Sequence, residues 1–174
     1  MLSNIGVIYR LLGEPQKALE YYSQALLLHR AVGDKGGEAQ TLQNIGVVYK
    51  VTNEMQKAME YFHQALLMSR AVKDQQLEAV TLANMSDAYR ILSQLEKALE
   101  YSNQALPLWR VVKDKRGEAM TLRVMGGTYH KLGELRKALE YYNQALPLTR
   151  VVVKTGSGKR SRLKASAMWY HRAR

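Results

Sequence analysis

Apolar residues recur along this chain at the spacing of one face of an α-helix, and the whole block then returns every 40 residues. Leu42, Ile45, Gly46 and Tyr49 fall at i, i+3, i+4 and i+7, and the same step carries Tyr49 onto Tyr9, Tyr89 and Tyr129. A second stripe, Ala58, Phe62, Ala65 and Ser69 with Met55, Met59 and Leu66 beside it, follows at once. The pattern predicts a helix A over about Lys35 to Val51 and a helix B over about Glu54 to Val72. Small residues at Gly46, Ala58 and Ala65 let the two helices approach, while Tyr49 and Phe62 fill the space between. Lys57, Ala58, Glu60, Tyr61, Gln64, Ala65, Leu66 and Arg70 fall on identical residues in all four copies. A hairpin this small can bury its apolar face only against the next copy, so the period predicts a stacked array.

Polar residues punctuate the array. Asp34, Asp74 and Asp114 stand where an N-cap is needed, and Gly13, Asn53, Ser93 and Gly133 share one position between helix A and helix B. Glu14, Glu54 and Glu134 follow that turn, and Pro15 sits at the first position of a helix. Pro107 and Pro147 replace Leu27 and Leu67 inside helix B, which predicts a kink after Ala105 and Ala145. The repeats span about 1–33, 34–73, 74–113 and 114–152, leaving 153–174 as a basic linker and a degenerate capping helix. That helix is expected from about Ser161 to Arg172, with Trp169 covering the exposed face of the fourth hairpin.

At Leu42, Ile45, Gly46, Tyr49, Ala58, Phe62 and Ala65 the chain resembles the tetratricopeptide repeat family, in order and in spacing. The likeness covers about residues 1 to 152 and is to the longer-repeat form of kinesin light chains and Leu-Gly-Asn-type adaptors. Arg30, Arg70, Arg110 and Arg150 stand where the shorter form carries proline. Three departures are Ser86 for the helix-A glycine, Ser102 for the helix-B aromatic and Val124 for asparagine. The resemblance implies an all-α right-handed superhelix, an α-solenoid of four tandem hairpins, whose first helices line a concave groove for a peptide or another protein.

If Leu42, Ile45 and Tyr49 face the core, the adjoining stripe of helix A is free: Gln40, Gln43, Asn44, Val47, Lys50 and Val51. Asn4, Asn44 and Asn84 form a ladder whose carboxamides could clamp an extended peptide backbone, or could instead bond within their own hairpins. In the longer form of the family this position contacts the ligand. A second ladder, Arg10, Lys50, Arg90 and His130, is joined by Arg123 and Lys131 and interrupted by Asp87. Such a surface favours an acidic partner, the alternative being a solvated edge. Arg30, Arg70, Arg110 and Arg150 are expected to support helix ends.

Charge and composition then narrow the function. The net charge of +11 is concentrated at one end: residues 151–174 hold seven basic residues and no acid. That tail, with Trp169 and Tyr170, is the sequence feature that would serve nucleic-acid binding, a competing reading of lower standing than protein binding. Gly156-Ser157-Gly158-Lys159 is no phosphate loop, since Val153 and Arg160 occupy positions that need glycine and Ser or Thr. His29, His63, His130 and His171 occupy unrelated repeat positions, so no catalytic set or metal site assembles, and the reading is a non-enzyme without cofactor. No apolar run reaches the ~20 residues of a membrane span, and residues 1–6 are already in repeat register, so a cytoplasmic protein without a leader is expected. The ends of the array offer a third reading, homo-oligomerisation through uncapped faces.

Overall fold

Asp34, Asp74 and Asp114 start three helices by the same local chemistry. Each carboxylate accepts the backbone N–H three residues on, from Gly37, Leu77 and Gly117, at 2.8, 2.9 and 2.9 Å. This satisfies a donor that a first helical turn leaves without a partner. The computed structural model describes residues 1–149, and among these the chain is eight α-helices with no strand. They are α1 (Leu2–Leu11), α2 (Pro15–Val32), α3 (Lys35–Val51), α4 (Met55–Ala71), α5 (Gln75–Ile91), α6 (Leu95–Val111) and α7 (Lys115–Lys131), with α8 over 135–149. The expected linker and capping helix, and Arg150, lie outside the described residues.

Within each hairpin the turn residue is left-handed, at φ of 77° for Gly13, 65° for Asn53, 58° for Ser93 and 78° for Gly133. Between hairpins the same conformation falls to Gly33, Lys73 and Lys113. Lysine does not announce that role in sequence. It is imposed because the following N–H must close the helix, as Asp114 does on the Trp109 carbonyl at 3.0 Å.

Helix A meets helix B through a glycine pressed against a ring. A Cβ on Gly6, Gly46 or Gly126 would come within 2.7, 2.6 or 2.8 Å of Tyr22, Phe62 or Tyr142. The two departures of the third hairpin answer each other here. Ser86 and Ser102 are both buried with hydroxyls 2.6 Å apart, and the Ser86 hydroxyl donates to the Ala98 carbonyl at 2.8 Å. Beside this contact each hairpin stacks two tyrosines, Tyr9 on Tyr21, Tyr49 on Tyr61, Tyr89 on Tyr101 and Tyr129 on Tyr141, with ring centroids 5.2–5.4 Å apart. Lys17, Lys57, Lys97 and Lys137 lie over the outer face of these stacks. Lys57 pairs with Glu54, and not with the Glu60 that recurs beside it in sequence.

Adjacent hairpins share one core. Met59, Leu66 and Phe62 of α4 join Leu82 and Met85 of α5, and Trp109 of α6 closes the same cluster. Arg30, Arg70 and Arg110 do more than support helix ends: each donates from Nε to the next repeat's Glu38, Glu78 or Glu118 at 2.7, 2.7 and 2.9 Å. Burial tends to raise the Glu118 pKa, but Lys115 and Arg110 outweigh it and hold the carboxyl below its ordinary value. For Glu38 the Arg30 hydrogen bond is the leading cause of the same lowering.

The backbones of the first helices approach one another, α1 to α3, α3 to α5 and α5 to α7, whereas those of α2, α4 and α6 stay farther apart and meet through long side chains, as Arg70 Nη2 does in donating to Gln104 Oε1 at 3.2 Å. The array therefore bends toward its first helices and makes them the inner, concave face. α6 continues through Pro107, whose ring lies on the exposed side where the carbonyl it leaves without a donor can be hydrated. On α8, Leu139 and Leu146 are 60% and 49% exposed, while Met59 and Leu66 at the equivalent places are 9% and 6%. No helix of the described residues is long and apolar enough to cross a membrane.

Candidate functional site

The inner edges of α3, α5 and α7 carry the same helical positions, spaced three and four residues apart, so successive copies align them into one surface. Between α5 and α7 this surface sinks into a cavity of about 260 Å³. Val80, Ala83, Met120 and Val124 give it apolar walls, and Lys50, Arg116 and Arg123 with the acids Asp87 and Asp114 charge its lining. A second cavity of about 280 Å³ adjoins it, lined by Asp87, Arg90, Arg123, Val124, Gly127 and Tyr142. Asp87, Arg123 and Val124 thus belong to both.

The expected groove residues divide into groups. Lys50, Asn84 and Arg123 stand together at the first cavity, and Arg90 joins Arg123 at the second. Asn84 is already engaged: its Oδ1 accepts from Lys50 Nζ at 3.0 Å, and its Nδ2 donates to the Val80 carbonyl one turn back at 3.1 Å. Asn44 is half-buried with only a 3.5 Å contact to Gln40 Nε2, and Asn4 is exposed on α1. Gln43 does not lie open. It is 4% exposed and accepts from Gln40 Nε2 at 3.1 Å, because neighbouring first helices touch along the inner face. Val47 packs against the core cluster, while His130 is exposed. Arg10 reaches back toward buried Tyr22, and neither its Nε nor the Tyr22 hydroxyl finds a hydrogen-bond partner among the described residues.

Asp87 organises the electrostatics. Its carboxylate accepts from Lys50 Nζ of the preceding repeat at 3.2 Å and from Arg90 Nη2, one turn along its own helix, at 2.7 Å. Burial pushes the Asp87 carboxyl up, but the Arg90 hydrogen bond and Lys50 hold it below the usual carboxylate range. Two members of the basic ladder are consequently engaged by the residue that interrupts it, and one of their two positive charges is offset. The Arg123 side chain makes no hydrogen bond or ion pair among the described residues.

Trp109 is the part of the site that repeat-based reading missed. It lines the first cavity while nearly fully buried, donating from Nε1 to Thr121 Oγ1 at 3.0 Å. Its counterparts are His29, Ser69 and Thr149, so no ladder marks it. The available signal was paired size: glycine at Gly37 and Gly117 opposite His29 and Trp109, but Leu77 opposite Ser69. A Cβ at Gly117 would lie 2.4 Å from the Trp109 ring.

No cluster of three or more potential metal ligands occurs among the described residues. A comparison with curated protein sequences finds no match. Among solved structures, BtubC (BKLC) from P. vanneervenii aligns at TM-score 0.77 and 20% identity, covering 87% of this chain and 63% of that one. The Rap conjugation gene regulator of the plasmid pLS20, in complex with the Phr* peptide, aligns at TM-score 0.79 and 16% identity, covering 87% of this chain and 41% of that one. A Podosopora anserina protein described as kinesin light chain with nearly identical TPR-like repeats aligns at TM-score 0.70 and 14% identity, covering 86% and 74%. The chain thus spans less than two thirds of the length of BtubC and of the Rap regulator. At these identities the likeness is one of fold. The tetratricopeptide repeat family model itself matches residues 1–71 and 77–150, and with the ladder of hairpins described above it shows that this chain belongs to the tetratricopeptide repeat family.

Proposed function

We propose that this chain is a non-catalytic protein-binding scaffold whose inner groove takes up an extended, acidic peptide segment. The observation that carries the reading is the cavity between α5 and α7, which combines apolar walls for a side chain with cations for a carboxylate. Asn44 and Asn84 would hold the peptide backbone, Asn84 by exchanging its bond from Lys50 for one from the ligand. Arg123 would receive an acidic side chain through charge-assisted hydrogen bonds. That a Rap regulator of the same fold is seen with a peptide supports a peptide-sized ligand here.

The test is selection of peptides from a random displayed library on the immobilised protein, followed by affinity measurement in solution. Asn44→Ala combined with Asn84→Ala should weaken the selected peptides about tenfold or more while leaving the far-ultraviolet circular dichroism intact. Equal affinity in that variant would reject the groove.

The exposed Leu139 and Leu146 of α8 favour a second reading, self-association through the end of the array. Light scattering across a concentration series decides it, and a strictly monomeric protein rejects it.

A further inference from the structure

We propose that Asp87 sets the charge specificity of the inner groove, occupying two of its cations so that a ligand carboxylate is received at Arg123 and a run of acids is turned away. The inference rests on the peptide-binding reading above and concerns how that same site discriminates. Packing does not require an acid at this position, since the other copies carry Val7, Val47 and Gly127 there. Asp87 is nevertheless gripped from two repeats, by Lys50 of α3 at 3.2 Å and by Arg90 of α5 at 2.7 Å. It does to those cations what an incoming carboxylate would do, and so stands in for one.

The two cavities share Asp87 and Arg123, with Lys50 on the first and Arg90 on the second. Arg123 is the groove cation common to both, and it is exposed and without an internal partner among the described residues. Arg116 and Asp114, one of each sign, line the first cavity only. An extended peptide advances at most ~3.6 Å per residue, so acids neighbouring the one on Arg123 must pass close to Asp87 before they reach Lys50 or Arg90. Like charges brought together across a binding surface are a repulsive element, and such elements set specificity as much as attraction does. A ligand with one well-placed acid escapes the penalty. A polyacidic ligand must displace Asp87 from both partners.

The probes are two fluorescein-labelled octapeptides, one of Gly and Ser with a single central Glu and one of eight Glu, measured by fluorescence anisotropy at low salt. Asp87→Asn should raise affinity for the eight-Glu peptide about tenfold or more and change the single-Glu peptide by less than about threefold. Adding both Lys50→Gln and Arg90→Gln to Asp87→Asn should remove most of that gain, whereas Lys50→Gln alone should have little effect because Lys50 is already engaged. Unchanged eight-Glu affinity in Asp87→Asn, or no binding of that peptide to it at all, overturns the proposal, as does a gain that survives the loss of both Lys50 and Arg90. If Arg123→Gln leaves both peptides unaffected while the Asp87 effects hold, the location of the acid-binding site falls and the Asp87 effect stands. Thermal melts of each variant establish that the array is folded in every comparison.

Discussion

Replacing Ser86 by Gly and Ser102 by Phe, separately and together, tests whether the two departures of the third hairpin are one feature. The other hairpins close glycine against an aromatic ring, and a Cβ there would sit 2.6–2.8 Å from the ring. Ser102→Phe alone would drive a ring into the Ser86 side chain and also remove that residue's hydroxyl partner. Overpacking of this kind costs about 1–3 kcal/mol. Ser86→Gly alone would strip Ser102 of its 2.6 Å partner inside the core, at about 1–3 kcal/mol, and add about 1 kcal/mol for a glycine within a helix. The double variant removes both hydroxyls and restores the arrangement of Gly46 with Phe62, so its loss should be well below the sum of the singles. We expect a favourable coupling of about 2 kcal/mol, within the range for residues in contact. The assay is urea and thermal unfolding followed at the helical circular dichroism band, where 1 kcal/mol is about 2–4 °C in a chain of this size. Additive losses would refute the idea that the glycine–ring contact is what these serines replace.

Other outcomes follow from the same contacts. Gly117→Ala places a methyl group 2.4 Å from the Trp109 ring and should cost about 1–3 kcal/mol with a shift in tryptophan emission; an unperturbed melt would mean the ring can move aside. Asp74→Ala removes the cap on the Leu77 N–H and should lower stability by about 0.5–2 kcal/mol in urea unfolding, with Asp74→Asn largely retaining it. Pro107→Leu, restoring the residue type of Leu27 and Leu67 on an exposed helical face, should raise the melting temperature by several degrees, since an interior proline costs about 3 kcal/mol. Glu38 and Glu118 titrate below the ordinary value of 4.5 in the folded protein. The stability they contribute is therefore present above that value and lost as pH falls through their lowered folded values. The urea midpoint should drop on acidification below about pH 4.5, and Glu38→Gln with Glu118→Gln should flatten that dependence; an equally steep fall in the double variant would exclude these carboxylates as its source.

The hairpins, their turns and the family were legible in the sequence alone, because they depend on information that recurs at fixed spacing. A stripe at i, i+3, i+4 and i+7 can be buried in only one way on a helix, and a capping Asp or a left-handed Gly acts on its own backbone within a few residues. What recurs four times is hard to misread. The left-handed Lys73 and Lys113 escaped because closure of the helix, and no preference of lysine, selects that conformation. The candidate groove depended on contacts between repeats, which no period encodes. Whether Lys50 is free or tied to Asp87 and Asn84, residues 37 and 34 positions away, is settled by how closely α3 and α5 approach. The same approach buries Gln43 on a stripe that the helical wheel alone leaves open. Trp109 reaches the inner cavity from a second helix only because Gly117 of the next repeat has no side chain to stop it. Local chemistry determined the units, and the distances between units, which depend on every side chain in the interface at once, decided which polar groups remain available.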